Sequence, residues 1–278
     1  INYYWKIVDS KPVYRQAFGK QNNKKLYNTA MIPVLIEFVQ WVIEEAGRLG
    51  IKRLYFLSRD GYQMYLVAKD LCAKENIDIE IRYLYVSRYS MRVPEYSLLE
   101  EKCLDRIFIG GIDVTFRRIM KRAALTDNEI IEMAEECGLS DQLDRILNYQ
   151  EIITLKNKFA KNKRLLDYIK KHSDIAYPMA MGYLRQEGLM DDIKYGLVDS
   201  GWVGTLQQTI RHLTQKERID GFYFGLYETP KDERTDMYHG FYFDPVNGLE
   251  RKTYFSNCLF EAVFTSAEGM TVGYDEQD

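Results

Sequence analysis

Apolar and polar residues along the chain form two kinds of pattern, short apolar runs and longer stretches with apolar residues at helical spacing. Residues 29–49 carry apolar side chains every three or four positions, which predicts an amphipathic helix that ends at Gly50. Three further elements follow, a strand over 51–57, a helix over 63–74 and a strand over 79–86. This order of strand, helix and strand predicts a parallel α/β sheet.

A similar pattern recurs much further along the chain. The apolar run 195–198 ends at Asp199, and a loop of small residues, 200–205, leads into a helical pattern. Free backbone N–H groups and the positive end of a helix dipole make such a loop a potential phosphate site, to which Ser200 and Thr205 add hydroxyl donors. A strand, a glycine-containing turn and a helix also occur throughout α/β proteins, so a purely structural turn remains the alternative.

Polar and charged side chains follow three of the predicted strands. In a parallel α/β sheet, ligands bind at the carboxyl ends of the strands, so these segments would share one crevice if the strands are neighbours. Arginine guanidinium groups match the geometry of phosphate, whereas each arginine alone would more simply be a solvated surface residue. The substrate-binding candidates are Ser58, Arg59, Gly61, Ser87, Arg88, Asp199, Ser200, Gly201, Trp202, Gly204 and Thr205, and Asp60 lies among them.

Between the strand at 79–86 and the loop at 200–205, the pattern becomes helical. We expect residues 98–188 to form a helical insertion or hood, with an α/β core built from residues 1–97 and 189–278. Such a lobe would hold a second substrate, or it would only cover one face of the sheet.

Four local expectations concern segments outside the strands. Residues 87–92 are expected to form a charged loop, and Thr126 begins a capping box with the glutamate three residues later. Residues 157–171 predict a basic, solvated helical face. Residues 177–184 predict a further helix with Pro178 in its first turn.

The last part of the chain is rich in aromatic residues. Segments 221–227 and 238–243 predict two strands, and 269–274 predicts a short closing strand. The segment 257–264 is apolar except for Glu261. A buried unpaired acid is costly, so Glu261 is expected either on a helix surface or directed into the site.

Composition limits the classes of function. The chain has 278 residues and a net charge of -3, so no overall field attracts nucleic acid. Its four cysteines and three histidines are scattered, which argues against disulfides and a zinc site. No apolar run is long enough to span a membrane, and no signal peptide is evident, so a cytoplasmic location is expected. The first residue is Ile1 rather than Met, as expected if the chain is a fragment of a longer protein.

Two strand ends resemble the type I phosphoribosyltransferases. The resemblance lies in a strand followed by Arg59-Asp60-Gly61 and a strand followed by Asp199-Ser200-Gly201 with Gly204-Thr205-Leu206. It implies that residues 58–61 hold the pyrophosphate of phosphoribosyl pyrophosphate (PRPP). It also implies that Asp199 holds the ribose hydroxyls and that residues 200–205 hold the 5-phosphate.

A closer resemblance covers nearly the whole chain. The motifs VQWV at 39–42, LYFLSRDGY at 54–62, YLYVSR at 83–88 and VDSGWVGTLQ at 198–207 are similar to a bacterial group in polysaccharide-synthesis loci. Members are often fused to, or encoded near, a phosphatase domain of the haloacid dehalogenase type. This chain lacks that phosphatase's Asp-x-Asp-x-Thr/Val motif. The resemblance implies transfer of 5-phosphoribosyl from PRPP to a sugar hydroxyl of a growing, lipid-linked glycan, at the cytoplasmic face of the membrane. The phosphatase would then remove the 5-phosphate.

The implied mechanism assigns roles to individual residues. Arg59, Arg88 and a Mg²⁺ ion would neutralise the departing pyrophosphate, and Asp199 would contact the Mg²⁺ that PRPP carries. Asp60 is the first candidate for the general base and Glu261 the second. Attack opposite the pyrophosphate would invert the anomeric centre and give a β-ribofuranoside.

Three other functions stay open at this point. The domain could be a binding module that recognises a phosphorylated glycan and delivers it to the phosphatase. It could be a regulatory or assembly domain with an inactive site. It could also be a nucleobase phosphoribosyltransferase, which turnover with adenine, guanine, uracil or orotate would reveal.

Overall fold

The structure is a computed structural model that describes residues 2–7, 27–231 and 233–277. Its strands are β1 (Asn2–Ile7), β2 (Arg53–Leu57), β3 (Glu80–Leu84), β4 (Tyr195–Asp199), β5 (Asp220–Gly225), β6 (Tyr238–Phe243) and β7 (Thr271–Gln277). Its α-helices are α1 (Ile32–Arg48), α2 (Gly61–Glu75), α3 (Arg88–Leu99), α4 (Cys103–Ile107), α5 (Phe116–Arg122), α6 (Asp127–Cys137), α7 (Tyr149–Phe159), α8 (Lys163–Gln186), α9 (Thr205–Thr214) and α10 (Asn257–Phe264). None of the described helices is both long enough and apolar enough to cross a membrane.

Five strands form one all-parallel sheet in the order β3-β2-β4-β5-β6, and β1 pairs with β7 in a separate two-stranded sheet. In β2, Phe56 lies opposite Tyr83 of β3 on one side and Val198 of β4 on the other. This confirms the parallel α/β core expected from the sequence. The chain adds β3 on one side of β2 and then β4 on the other side, which makes a switch point between β2 and β4. In parallel sheets, ligands bind at such a point, beyond the carboxyl ends of the strands.

Burial explains why these strands form the centre of the sheet. Every residue of β2 and β5 is buried, as is usual for parallel strands covered on both faces. Helix α1 packs its apolar stripe, including Phe38 and Val42, into the same core as Phe56, Val198 and Phe222. Each such side chain contributes about 1.5–3 kcal/mol when removed from water. The sheet is therefore a firm support for the loops at its edge.

The chain divides into two compact units. One consists of Tyr89–Tyr183 with a few residues from each end of the chain, and the other consists of Trp5–Arg88 and Leu184–Val272. The first unit is helical and has its own apolar core, and its α6 begins with the predicted capping box of Thr126. The second unit contains the parallel sheet. The domain limits expected at 98 and 188 stay a prediction.

Helix α3 corrects the expectation of a loop over 87–92. The helix begins directly at Arg88 and is buried on more than one side, with Met91, Val93 and Tyr96 all buried. Only Ser87 of the expected loop precedes α3.

Helices α7 and α8 correct two further expectations. The expected solvated helix over 157–171 is divided, because α7 ends at Phe159 and α8 begins at Lys163, and Leu165 and Ile169 are buried. The expected separate helix over 177–184 is the second half of α8, which continues through Pro178. A proline inside a helix costs about 3 kcal/mol, so the burial of the apolar stripe on either side outweighs that cost.

Candidate functional site

The loop after β2 is held to the end of β3. The Ser58 hydroxyl donates to the Val86 carbonyl oxygen at 2.7 Å and accepts from the Val86 N–H at 2.9 Å. The peptide bond between Ser58 and Arg59 is cis, and α2 begins at Gly61, two residues after Arg59. The Ser58 hydroxyl thus fixes the start of the loop, and Asp60 stands directly before the helix.

The loop after β4 depends on two glycines. Gly201 has a φ of +147°, and a β-carbon there would lie 2.2 Å from the Gly225 carbonyl oxygen. Gly204 has a φ of +75°, and a β-carbon there would lie 2.6 Å from the ring of Tyr238. A residue with a side chain would therefore clash at either position and would also be strained. The peptide bond from Gly201 to Trp202 is cis.

A buried serine joins the two loops. Ser200 is 2% exposed, and its hydroxyl donates to Oδ2 of Asp60 at 2.8 Å across 140 residues of sequence. The Thr265 hydroxyl donates to Oδ1 of the same carboxylate. The Ser200 N–H donates to Oδ1 of Asp199 at 2.8 Å. The structure therefore brings together Asp60, Asp199 and Ser200, three residues that the sequence predicted for one site.

Asp199 has a strongly perturbed carboxyl group. The residue keeps some exposed surface, yet burial of its carboxyl, together with the negative charges of Asp60 and Glu261, raises its pKa to about 7. The Ser200 N–H and the charge of Arg88 act in the opposite direction and lower this pKa. A cation or a hydrogen-bond donor placed next to Asp199 would stabilise its ionised form.

Trp202 is anchored at both its indole and its backbone. Its Nε1–H donates to Oε1 of Glu261 at 2.7 Å, and its carbonyl oxygen accepts from the Tyr227 N–H at 2.8 Å. The rings of Tyr227, Phe255 and Phe260 surround the indole, with centroids 5.9, 5.1 and 5.8 Å away. Glu261 lies on α10, so this helix is joined to the loop after β4, and the role of Glu261 in the site stays a prediction.

Two helices begin at this edge of the sheet without a side-chain cap. Neither Asp60 before α2 nor Gly204 before α9 supplies a side-chain hydrogen bond to the first turn. Helices α1 and α4 likewise have no side-chain cap, whereas α5, α6, α7 and α10 are capped by Thr115, Thr126, Asn148 and Ser256. Helices α2 and α9 follow directly after the loops at the ends of β2 and β4, and the positive end of a helix dipole favours an anion. Thr205, predicted as a phosphate contact, is the first residue of α9 and is partly exposed.

The two predicted arginines have different surroundings. Arg59 Nη1 donates to the Glu268 carbonyl oxygen at 3.4 Å, and the Arg59 carbonyl oxygen accepts from the Ser266 N–H at 3.2 Å. Arg88 is exposed and acts on Asp199 through its charge. The hydroxyl of Ser87 donates to the Thr271 carbonyl oxygen at 2.6 Å. Ser87 is therefore a support for the loop in this structure.

Sequence reasoning missed the segment 265–271, which follows α10. Its residues form hydrogen bonds with three of the predicted site residues. Thr265 bonds to Asp60, Ser266 and Glu268 bond to Arg59, and Thr271 bonds to Ser87. No local signal identified Thr265, since 205 residues separate it from Asp60 in sequence. Glu268 also accepts a hydrogen bond from the Tyr83 hydroxyl.

The acidic side chains do not form a metal cage. Among the residues that the structure describes, no group of three or more His, Cys, Asp or Glu side chains is arranged to hold a metal ion. Asp60 and Asp199 influence each other electrostatically, but both oxygens of Asp60 already accept hydroxyl hydrogens.

No protein-family model matches the sequence, and no curated protein matches it significantly. The functional interpretation therefore depends on the geometry of the site and on the chemistry of its residues.

Proposed function

We propose that the protein is a glycosyltransferase that moves 5-phosphoribosyl from PRPP to a sugar hydroxyl of a bacterial surface polysaccharide and releases pyrophosphate. The observation that carries the proposal is the hydrogen bond from Ser200 to Asp60. It holds the loops after β2 and β4 together at the switch point of a parallel sheet, where ligands of such sheets bind.

The donor has three parts, and each has a candidate binding group. Pyrophosphate would bind Arg59 and the first-turn N–H groups of α2. The ribose hydroxyls would donate to Asp199, and the 5-phosphate would bind residues 200–205 and the first turn of α9. The positions of α2 and α9 support the two anion assignments, because each helix begins directly after one of the two loops and its dipole favours an anion there.

The acidic residues of the site would suit a Mg²⁺ ion that is already bound to PRPP. They are less suited to hold Mg²⁺ without PRPP. The raised pKa of Asp199, due to burial and then to Asp60, indicates a site that lacks positive charge. The described residues offer no three-ligand group, so pyrophosphate oxygens would supply the remaining ligands. When bound, Mg²⁺ would neutralise charge on the pyrophosphate.

The protein's own residues would do the rest of the chemistry. Arg59 and Arg88 would stabilise the negative charge that develops on the leaving group. A carboxylate, Asp60 or Glu261, would accept the proton of the attacking sugar hydroxyl. Attack from the face opposite the pyrophosphate would give a β-ribofuranoside.

The proposal includes partners. A glycan built on a lipid carrier would be the acceptor, and a phosphatase of the haloacid dehalogenase type, in the same or another chain, would remove the 5-phosphate. These partners follow from the sequence resemblance, and they would locate the reaction at the cytoplasmic side of the membrane.

One observation favours a second candidate, a non-catalytic module that binds a phosphorylated glycan for the phosphatase. Both oxygens of Asp60 accept hydroxyl hydrogens, so this carboxylate serves the loops themselves. The anion-binding features would be the same in a binding module, but PRPP would not be cleaved.

Isothermal titration of PRPP into the protein, in the presence of Mg²⁺, tests whether the protein binds this donor at all. We expect the wild-type protein to bind PRPP and Asp199→Ala to lose most of the affinity. Asp192→Ala, an exposed aspartate of the same unit, is the matched control and should bind like wild type. The absence of binding at millimolar PRPP in a folded protein would refute the donor assignment. Binding without pyrophosphate release in the presence of acceptor glycans would favour the binding module.

A further inference from the structure

We propose that the acceptor sugar binds beside Glu261, on the Trp202 side of α10, and that Glu261 rather than Asp60 takes the proton from its hydroxyl. This inference rests on the proposed function and adds the location of the second substrate and the identity of the base.

The two carboxylates differ in their hydrogen bonds. Oδ1 and Oδ2 of Asp60 accept from the hydroxyls of Thr265 and Ser200. Glu261 accepts from Trp202 Nε1 through Oε1, and within the described part of the chain no donor is bound to Oε2. Asp60 would have to release a loop contact to accept a further proton, whereas Glu261 has an oxygen available for an incoming hydroxyl.

Helix α10 holds Glu261 in this position. Ser256 caps the helix through its hydroxyl, which accepts from the Leu259 N–H. Phe260 and Phe264, one turn apart, are buried in the core beneath the helix. Glu261 is partly exposed at the edge of this buried face, and its bond to Trp202 fixes the carboxylate without covering it.

Several aromatic side chains lie near Glu261 or next to its partner Trp202. Trp202 and Tyr227 are partly exposed, and both Cys258 and Glu261 influence the Tyr227 hydroxyl electrostatically. Tyr254, which is 87% exposed, precedes Phe255, whose ring contacts Trp202. Pyranose rings present apolar C–H faces with hydroxyls around the rim. An aromatic surface with one carboxylate at its edge fits this shape, with the sugar over the rings and a hydroxyl toward Glu261.

The chemical step is balanced. The acceptor oxygen forms a bond to C1 of the ribose while the bond from C1 to the pyrophosphate oxygen breaks and its electron pair leaves with pyrophosphate. The acceptor hydroxyl proton passes to Oε2 of Glu261. The Trp202 N–H keeps the carboxylate oriented during the transfer and afterwards donates to the protonated acid.

The test uses the full chain with methyl glycosides of glucose, galactose, mannose and rhamnose as acceptor probes. Saturation-transfer NMR measures their binding, and PRPP titration and pyrophosphate release are measured in parallel. We expect Tyr254→Ala to weaken sugar binding at least about threefold and to leave PRPP affinity unchanged. Tyr149→Ala, another exposed tyrosine, is the control and should have no effect.

The second variant tests the base. We expect Glu261→Gln to bind PRPP and sugar within about twofold of wild type and to lose about a hundredfold in sugar-dependent pyrophosphate release. Glu217→Gln, an exposed glutamate of the same unit, should keep full activity. Thermal melts check that each variant is folded.

The outcomes separate this inference from the proposed function. Failure of the wild-type protein to bind PRPP refutes the proposed function. PRPP binding with unchanged sugar signals in Tyr254→Ala, or with activity retained in Glu261→Gln, refutes the acceptor site alone. Adenine or uracil binding in place of every sugar also overturns it.

Discussion

Replacing Ser200 by alanine tests whether the two loops of the site are held together by a single hydroxyl. Ser200 is buried, and its Oγ donates to Oδ2 of Asp60 at 2.8 Å. Ser200→Ala removes this bond while leaving the backbone bonds of the loop intact, including the Ser200 N–H to Asp199. Any change is therefore due to the link between the loops.

The structure allows an estimate of the loss. A hydrogen bond to a charged group contributes about 1.5–3 kcal/mol. Asp60 is partly exposed and still accepts from Thr265, so some of the loss will be recovered by solvent and by the remaining bond. We expect Ser200→Ala to lower the free energy of unfolding by about 1.5 kcal/mol, and to weaken PRPP binding because the loops lose their relative position.

Tryptophan fluorescence in urea is the appropriate assay. Trp41 and Trp202 belong to the unit that contains the sheet, and their fluorescence reports the unfolding of that unit. Ser140→Ala, at an exposed position of the helical unit, is the control and should lie within about 0.5 kcal/mol of wild type.

A double-mutant cycle with Asp60→Ala makes the test specific. If the bond exists as described, the two substitutions should be coupled by about 1 kcal/mol or more, because contacting residues are not additive. Additive effects, or a Ser200→Ala variant as stable as wild type, would refute the idea that this hydroxyl joins the loops.

Three further predictions follow from the same structure. Gly201→Ala places a β-carbon 2.2 Å from the Gly225 carbonyl oxygen, and we expect it to destabilise the protein by about 2 kcal/mol or more, measured as a lower melting temperature. Asp199 has a pKa of about 7 in the folded protein, above its value in the unfolded chain, so folding binds a proton between about pH 4 and 7 and stability falls as the pH rises through this window. Asp199→Asn should therefore be more stable than wild type at pH 8 and similar at pH 4, and equal stability at both pH values would contradict the assignment. Glu129 of the helical unit has its pKa lowered to about 2, despite burial, by hydrogen bonds from Thr126, His172 and Lys171. Its contribution is present above about pH 4.5 and is lost as the pH falls toward 2, so Glu129→Gln should flatten the acid side of a stability curve measured by circular dichroism.

The elements of the parallel sheet could be predicted because each is encoded locally. The apolar runs at 51–57 and 195–198 are long enough for strands, and both end at polar residues that mark the carboxyl edge. The adjacency of β2 and β4 could not be read from the sequence, because Phe56 and its partner Val198 are 142 positions apart. The three strands on which the shared crevice was conditional are neighbours in the order β3-β2-β4, and the crevice itself stays a prediction.

The errors have a common physical cause, namely that tertiary packing outweighed local signals. Charged residues at 87–92 suggested a loop, yet burial of Met91 favours a helix that starts at Arg88. Pro178 suggested a helix start, yet the apolar stripe of α8 continues past it. Thr265 could not be identified at all, because an isolated threonine has no pattern and its role exists only through contact with Asp60.

The environments of the three acids in the site suggest three separate roles. Asp60 accepts from two hydroxyls and joins the loops, so its charge is used within the fold. The carboxyl of Asp199 is shielded from water without enough positive charge near it, which suits a group that receives ribose hydroxyls or a cation with its ligand. Glu261 is held by one indole N–H and remains partly exposed, which suits a group that accepts a proton from a second substrate. Because carboxyl groups of similar intrinsic acidity are separated by their surroundings, substitutions at the three positions should fail differently. Replacement of Asp60 should reduce stability. Replacement of Asp199 should reduce donor binding, and replacement of Glu261 should reduce transfer.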